Sequence, residues 1–306
     1  MEALRTPDDR FNDLPGYPWA PNYLDDLAGY EGLRAHYLDE GPKEAAQTFL
    51  CLHGEPSWSY LYRRMIPPFL ASGARIVAPD LFGFGKSDKP VEDSAYSFHF
   101  HRNFLIAFVE RLDLTNITLV VQDWGGLLGL TLPVSDAIRP RIARLLAMNT
   151  TLAVGKSPGP GFDAWRAFAA ANPDMAVGDL FGRSCPHLTA AERAAYDAPF
   201  PDIRYKAGVR AFPTLVMTDQ DMEGVAESRA AARFWSQAWE GPTFMAVGEA
   251  DPVLGPPVMD RLRETIRRCP PPMMIARRGV CLLMAENLRP GRGFTNHRPC
   301  SMSSRR

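Results

Sequence analysis

Several things are scarce or missing in this chain, and each narrows its class. Cysteine is rare: the five residues Cys51, Cys185, Cys269, Cys281 and Cys300 are odd in number and scattered, with no CxxC pair. That distribution argues against a disulfide framework and against a zinc site, and it fits reduced thiols. Neither sign of charge is in excess, since 34 Lys and Arg face 35 Asp and Glu for a formal net charge of −1. A nucleic-acid partner would need a basic footprint, and there is none over the whole chain. Long apolar runs are also missing: no stretch approaches the roughly 18 apolar residues of a spanning helix. The opening segment, Met1 to Arg10, lacks the apolar centre of a secretory signal. These absences point to a cytoplasmic protein that engages neither membrane nor nucleic acid. What remains is an ordinary globular composition, 46% hydrophobic and 23% charged over 306 residues. That length suits two domains, or one large α/β domain carrying an insertion.

Apolar patterning gives the order of elements. Leu33 to Glu40 alternates as an edge strand and is ended by Gly41-Pro42; Gln47 to Leu52 is a short apolar strand stopped by His53-Gly54. Helical spacing follows over Trp58 to Leu70, and a buried strand over Arg75 to Leu81 runs into the turn-rich loop Phe82 to Pro90. Phe98 to Leu112 reads as an amphipathic helix, and Ile117 to Gln122 as the next strand. Later strands are expected at Arg144 to Asn149, Thr243 to Val247 and Met273 to Ala276. Strand and helix in alternation predict a parallel sheet covered on both faces. Between Asn149 and Thr243 there is no strand pattern, only helical patches around Asp163 to Ala171 and Thr189 to Tyr196, so an inserted helical domain is expected.

Three motifs carry chemistry. In Val121-Gln-Asp123-Trp124-Gly125-Gly126, a strand meets a helix with the spacing of a G-x-S-x-G nucleophile elbow, and Asp123 stands in the nucleophile's place. By itself Asp123 could equally be a helix N-cap. His53-Gly54-Glu55-Pro56 follows an earlier strand, where an oxyanion loop supplies a backbone N–H; the two donors would be those of Glu55 and Trp124. His53 itself reads as a structural histidine, because a triad histidine comes last in this chain order. Gly248-Glu-Ala-Asp251-Pro252 places an aspartate after a later strand, in the position of a triad acid.

With these motifs in this order the chain resembles the haloalkane dehalogenases of the α/β-hydrolase superfamily, most closely the subfamily acting on short chlorinated and brominated alkanes. The likeness runs from Arg5 to Ala276 and includes Asn22-Tyr-Leu-Asp-Asp-Leu27 and Gly83-Phe-Gly-Lys-Ser-Asp-Lys-Pro90. The resemblance implies an α/β-hydrolase fold: a mostly parallel, doubly wound sheet with an inserted helical cap. Core residues would be 1–151 and 215–306, and the cap 152–214. It implies Asp123 as nucleophile and Asp251 as triad acid. Trp124 and the cap residue Trp165 would be halide donors, and Phe162 a pocket wall. On spacing alone, Phe162, Trp165 and Phe168 mark only a packed helix face. The implied partners are a small haloalkane, water and the product halide, with no cofactor or metal and a monomeric chain. An epoxide hydrolase shares the fold, the His-Gly-x-Pro loop and the aspartate nucleophile, and would call on cap tyrosines such as Tyr196 or Tyr205.

The resemblance breaks off near residue 277. The family's histidine follows the last strand in a Gly-His-Phe turn; here Arg277-Arg-Gly-Val-Cys281 puts Val280 in its place. From Arg277 onward there are seven arginines, no lysine and one acid, Glu286. The only histidine in that stretch is His297. Such an abrupt change suggests a reading-frame shift near codon 277. A chain without the histidine would be alkylated once at Asp123 and not turn over.

Overall fold

Apolar, β-branched runs form the centre of the molecule. The computed structural model describes residues 1–276. Its strands are β1 (Ala3–Leu4), β2 (Asn22–Leu24), β3 (Ala35–Glu40), β4 (Thr48–Leu52), β5 (Arg75–Pro79), β6 (Lys89–Pro90), β7 (Ile117–Gln122), β8 (Ile142–Met148), β9 (Thr243–Gly248) and β10 (Met273–Ile275). The helices are α1 (Ile66–Leu70), α2 (Phe98–Arg111), α3 (Trp124–Gly129), α4 (Pro160–Ala171), α5 (Val177–Ser184), α6 (Ala190–Asp197), α7 (Ala207–Leu215), α8 (Val225–Gln237) and α9 (Pro256–Thr265).

Eight strands build the main sheet in the order β10-β9-β8-β7-β4-β5-β3-β2. Pairing is parallel from β10 through β5, and antiparallel where β3 and β2 join. Every residue of β4, β5 and β7 is buried. This is expected of parallel strands covered on both faces, and it explains why they read as continuous apolar runs. The remaining strands, β1 and β6, form a small antiparallel pair.

One expectation needs correcting. The strand at Leu33 to Glu40 is not the edge, because β2 pairs outside it with Leu24 opposite Ala35. Three residues are too few to show a period, so β2 left no readable pattern.

Register brings the strand ends that matter together. Leu52 lies opposite Val121, Gln122 opposite Met148, and Met148 opposite Ala246. The segments that follow β4, β7, β8 and β9 therefore leave the sheet side by side at its carboxyl edge, where open α/β sheets form crevices. Helices α4 to α8 all fall between β8 and β9, and no strand interrupts them.

Within that excursion α6 begins with a capping box between Thr189 and Glu192. The same Glu192 carboxylate accepts from Arg63 and Arg64, each at 2.9 Å, and so ties α6 to the segment before α1. Cys51 and Cys269 are free thiols. No helix among the described residues is long and apolar enough to cross a membrane.

Candidate active site

The turn from β7 to α3 sets Asp123 at φ 51°, ψ −123°. For a residue with a Cβ, such backbone costs on the order of 1–3 kcal/mol and persists only where surrounding bonds hold it. They do here. Its N–H donates to the Asn149 carbonyl at 3.0 Å, and its own carbonyl accepts from Gly126 N–H at 2.9 Å and from Thr150 Oγ1 at 2.7 Å. Gly125 and Gly126 are required by close approach: a Cβ on the first would meet the Leu52 carbonyl, and on the second the Thr150 side chain.

The side chain separates the two readings of Asp123. Although the residue occupies the N-cap position of α3, its carboxylate makes no capping bond. Oδ1 instead accepts the backbone N–H of Glu55 across the crevice at 2.9 Å, and the Trp124 N–H also favours its charged form. Burial nevertheless pushes the carboxyl up to about 6; the two N–H groups oppose that rise and the charge of Asp251 adds to it.

Asp123 opens into a small cavity whose water-accessible volume is about 30 Å³. Glu55, Asp123, Trp124, Phe162 and Trp165 all line it, joined by apolar residues such as Leu127 and Val216. Residues read from three separate stretches of sequence, after β4, after β7 and on α4, are thus brought to one place. The Trp124 ring packs on Phe212 of α7, centroids 4.6 Å apart, while Trp165 stacks on Phe168 at 5.9 Å.

Asp251 lies outside the lining but directly behind it. Its Oδ1 accepts the N–H groups of Val253 and Leu254, both at 2.9 Å, and those two residues face the cavity. Val280 and His297 lie outside the described residues, and no histidine lines the cavity among those described. His53 is fully engaged elsewhere: Nε2 accepts the Leu81 N–H at 3.0 Å and Nδ1–H donates to the Gly54 carbonyl at 2.9 Å. Nor do three His, Cys, Asp or Glu side chains converge as a metal site among the described residues.

Two features escaped the sequence reading. Asn149, at φ 30°, accepts the Gly248 N–H at 2.8 Å and donates to the carbonyls of Gly248 (3.2 Å) and Leu254 (3.0 Å). It locks the end of β8 to the loop carrying Asp251, a long-range role with no local signature. Glu55 is the second. Its Oε1 is closed off from solvent without a hydrogen-bonding partner, and burial together with the Asp123 charge holds the carboxyl well above the usual range. The motif drew attention to its backbone only.

The sequence profile of the α/β hydrolase fold matches residues 47–272. A haloalkane dehalogenase of Mycobacterium marinum is 46% identical over 260 residues, 83% of this chain and 86% of that protein. Haloalkane dehalogenase 1 of Mycobacterium bovis is 48% identical over 258 residues, 83% of this chain and 85% of its own length. Among solved structures, the tetrameric haloalkane dehalogenase DpaA from Paraglaciecola agarilytica NO2 superposes with a TM-score of 0.90 at 49% identity, covering 92% of this chain and 94% of that one.

Proposed function

The chain belongs to the haloalkane dehalogenases, hydrolases of the α/β fold that act on carbon–halide bonds, and from that membership we propose that it converts short haloalkanes to a primary alcohol and halide through an alkyl ester on Asp123. The observation that carries this reading is the shared cavity: Asp123, beside Glu55, faces a space walled mainly by apolar residues and by two tryptophans. Asp123 attacks carbon in line with the C–X bond, and the halide leaves toward Trp124 and Trp165. Indole N–H only donates and brings an apolar wall, which suits a large, weakly hydrated anion.

Water then adds to the ester carbonyl. The backbone N–H groups of Glu55 and Trp124 hold the oxyanion, the same groups that favour the resting carboxylate. A serine in the same place would form an ether, with no carbonyl for water to attack. The substrates of this reading are short haloalkanes, and Phe162 forms part of the cavity wall they would meet. Residues 152–214 act as the cap over a core of 1–151 and 215–306. The site uses no metal or organic cofactor. The epoxide reading is less favoured, because neither Tyr196 nor Tyr205 lines the cavity.

A second reading follows from the cavity lining. With Val280 at the place of the family's histidine and no histidine in the described lining, the chain would be alkylated once and keep its ester. Intact-protein mass after incubation with 1,2-dibromoethane, with bromide counted in the same tube, separates the two. Many bromides and an unchanged mass mean turnover; one bromide and a stable adduct mean a single alkylation. Neither bromide nor adduct from folded protein would remove Asp123 as nucleophile.

A further inference from the structure

We infer that the Glu55 carboxylate is the group that takes the proton from water when the Asp123 ester is hydrolysed in this chain. The inference rests on the alkyl-ester reading above and names the base that reading lacks. Among the described residues two titratable side chains line the cavity, Asp123 and Glu55; every other described lining residue is apolar, aromatic or, at Thr151, a hydroxyl. The Glu55 N–H bond to Asp123 Oδ1, at 2.9 Å, fixes the residue beside the carbonyl that water must attack. Its side chain ends in an oxygen shut off from bulk solvent and unmatched by any protein donor. Buried polar atoms of that kind are uncommon and point to a catalytic role or a bound water.

Alkylation also changes what holds a proton on Glu55. In the resting site the carboxyl is kept neutral first by burial and second by the negative charge of Asp123. Ester formation joins Asp123 oxygen to carbon, expels halide and removes that second cause; the Glu55 proton leaves the site with the halide, so the site keeps one negative charge, now on Glu55 and not on Asp123. Water then gives a proton to Glu55 as its oxygen bonds to the Asp123 carbonyl carbon. When the tetrahedral centre collapses, the bond from that carbon to the alkyl oxygen breaks, and the departing alkoxide takes the proton back from Glu55. Asp123 is left as a carboxylic acid and hands its proton to Glu55, which restores the resting site. Overall, haloalkane and water give alcohol, halide and one proton.

The test compares the full-length chain with Glu55→Gln, which keeps the backbone N–H and loses the base. Bromide released per protein from 1,2-dibromoethane and intact mass are read over time. The expected result is multiple turnover in the parent chain, and in Glu55→Gln a burst of one bromide followed by a stable adduct, with later turnover at least ~100-fold slower. The burst itself reports that the variant is folded and its nucleophile intact. His297→Ala is expected to turn over like the parent. A stable adduct in the parent chain would overturn the role of Glu55 while leaving Asp123 as nucleophile. Turnover of Glu55→Gln at the parental rate, or arrest of His297→Ala, would overturn it as well. Loss of the burst in Glu55→Gln would assign Glu55 to the first step instead. Neither bromide nor adduct from the parent would fail the ester reading itself.

Discussion

The backbone N–H of Glu55 donates to Oδ1 of Asp123 at 2.9 Å across the crevice between β4 and β7. One bond thus joins the two loops that leave adjacent parallel strands, and it fixes where the carboxylate lies. The buried carboxyl sits at about 6, above the ordinary 3.8.

The pH dependence follows with a definite sign. Only the carboxylate attacks, so the rate of the first bromide burst should rise with pH and reach half its maximum near pH 6. Because the folded state favours the protonated form, the stabilising contribution of this group is full below about 3.8 and is lost as pH rises through about 6. Asp123→Asn should therefore release no bromide, and at pH 8 it should be more stable than the parent by about 1–3 kcal/mol, allowing for partial access from the cavity. Quench-flow bromide assays and urea titrations check the two halves. A flat burst rate from pH 5 to 8 would contradict the first.

Trp124→Phe and Trp165→Phe each remove one indole donor while keeping an apolar ring. Loss of a hydrogen bond to a charged group costs about 1.5–3 kcal/mol, so each variant should slow the burst by roughly 10- to 100-fold. Bromide affinity, followed by quenching of the remaining tryptophans, should weaken in parallel. A variant with unchanged burst and unchanged bromide affinity would exclude that tryptophan as a halide donor.

Asn149→Ala tests the lock between β8 and the Asp251 loop. Its side chain accepts the Gly248 N–H and donates to two buried carbonyls. Truncation leaves those groups unpaired and should cost about 2–4 kcal/mol in denaturant midpoints. Unchanged stability would mean that the loop is held by other contacts.

Glu192→Gln probes the junction of α6 with Arg63. Arg63 is buried and donates to Glu192 at 2.9 Å, and although burial opposes ionisation, the arginines bring the carboxyl down to about 2. A lowered acid stabilises above its ordinary 4.5, and that contribution is lost as pH falls from there through about 2. Neutralising it should cost about 3 kcal/mol at pH 7, because Arg63 keeps its buried charge without a counterion. The difference from the parent should shrink on acidification toward pH 3. A constant difference across that range would show that packing, not charge, is what the substitution disturbs.

The sequence by itself determined the central strands and the chemistry-bearing turns. β4, β5 and β7 are buried throughout and largely apolar because both faces are covered, and the tight turn at Asp123 admits only glycine at 125 and 126, so composition and spacing carry these features directly. Once the motif order suggested a family, it also pointed to Glu55, Trp124, Trp165 and Phe162, which the fold brings to one cavity. Tertiary structure alone decided the rest. Whether Asp123 is a cap or faces a cavity depends on Glu55, 68 residues away, and its elevated carboxyl depends on burial that no local window contains. The outer position of β2, the lock at Asn149 and the unmatched oxygen of Glu55 likewise arise from pairings between distant segments. Periodicity reports which face of an element is apolar; it carries nothing about which polar atom will meet which partner when those faces close.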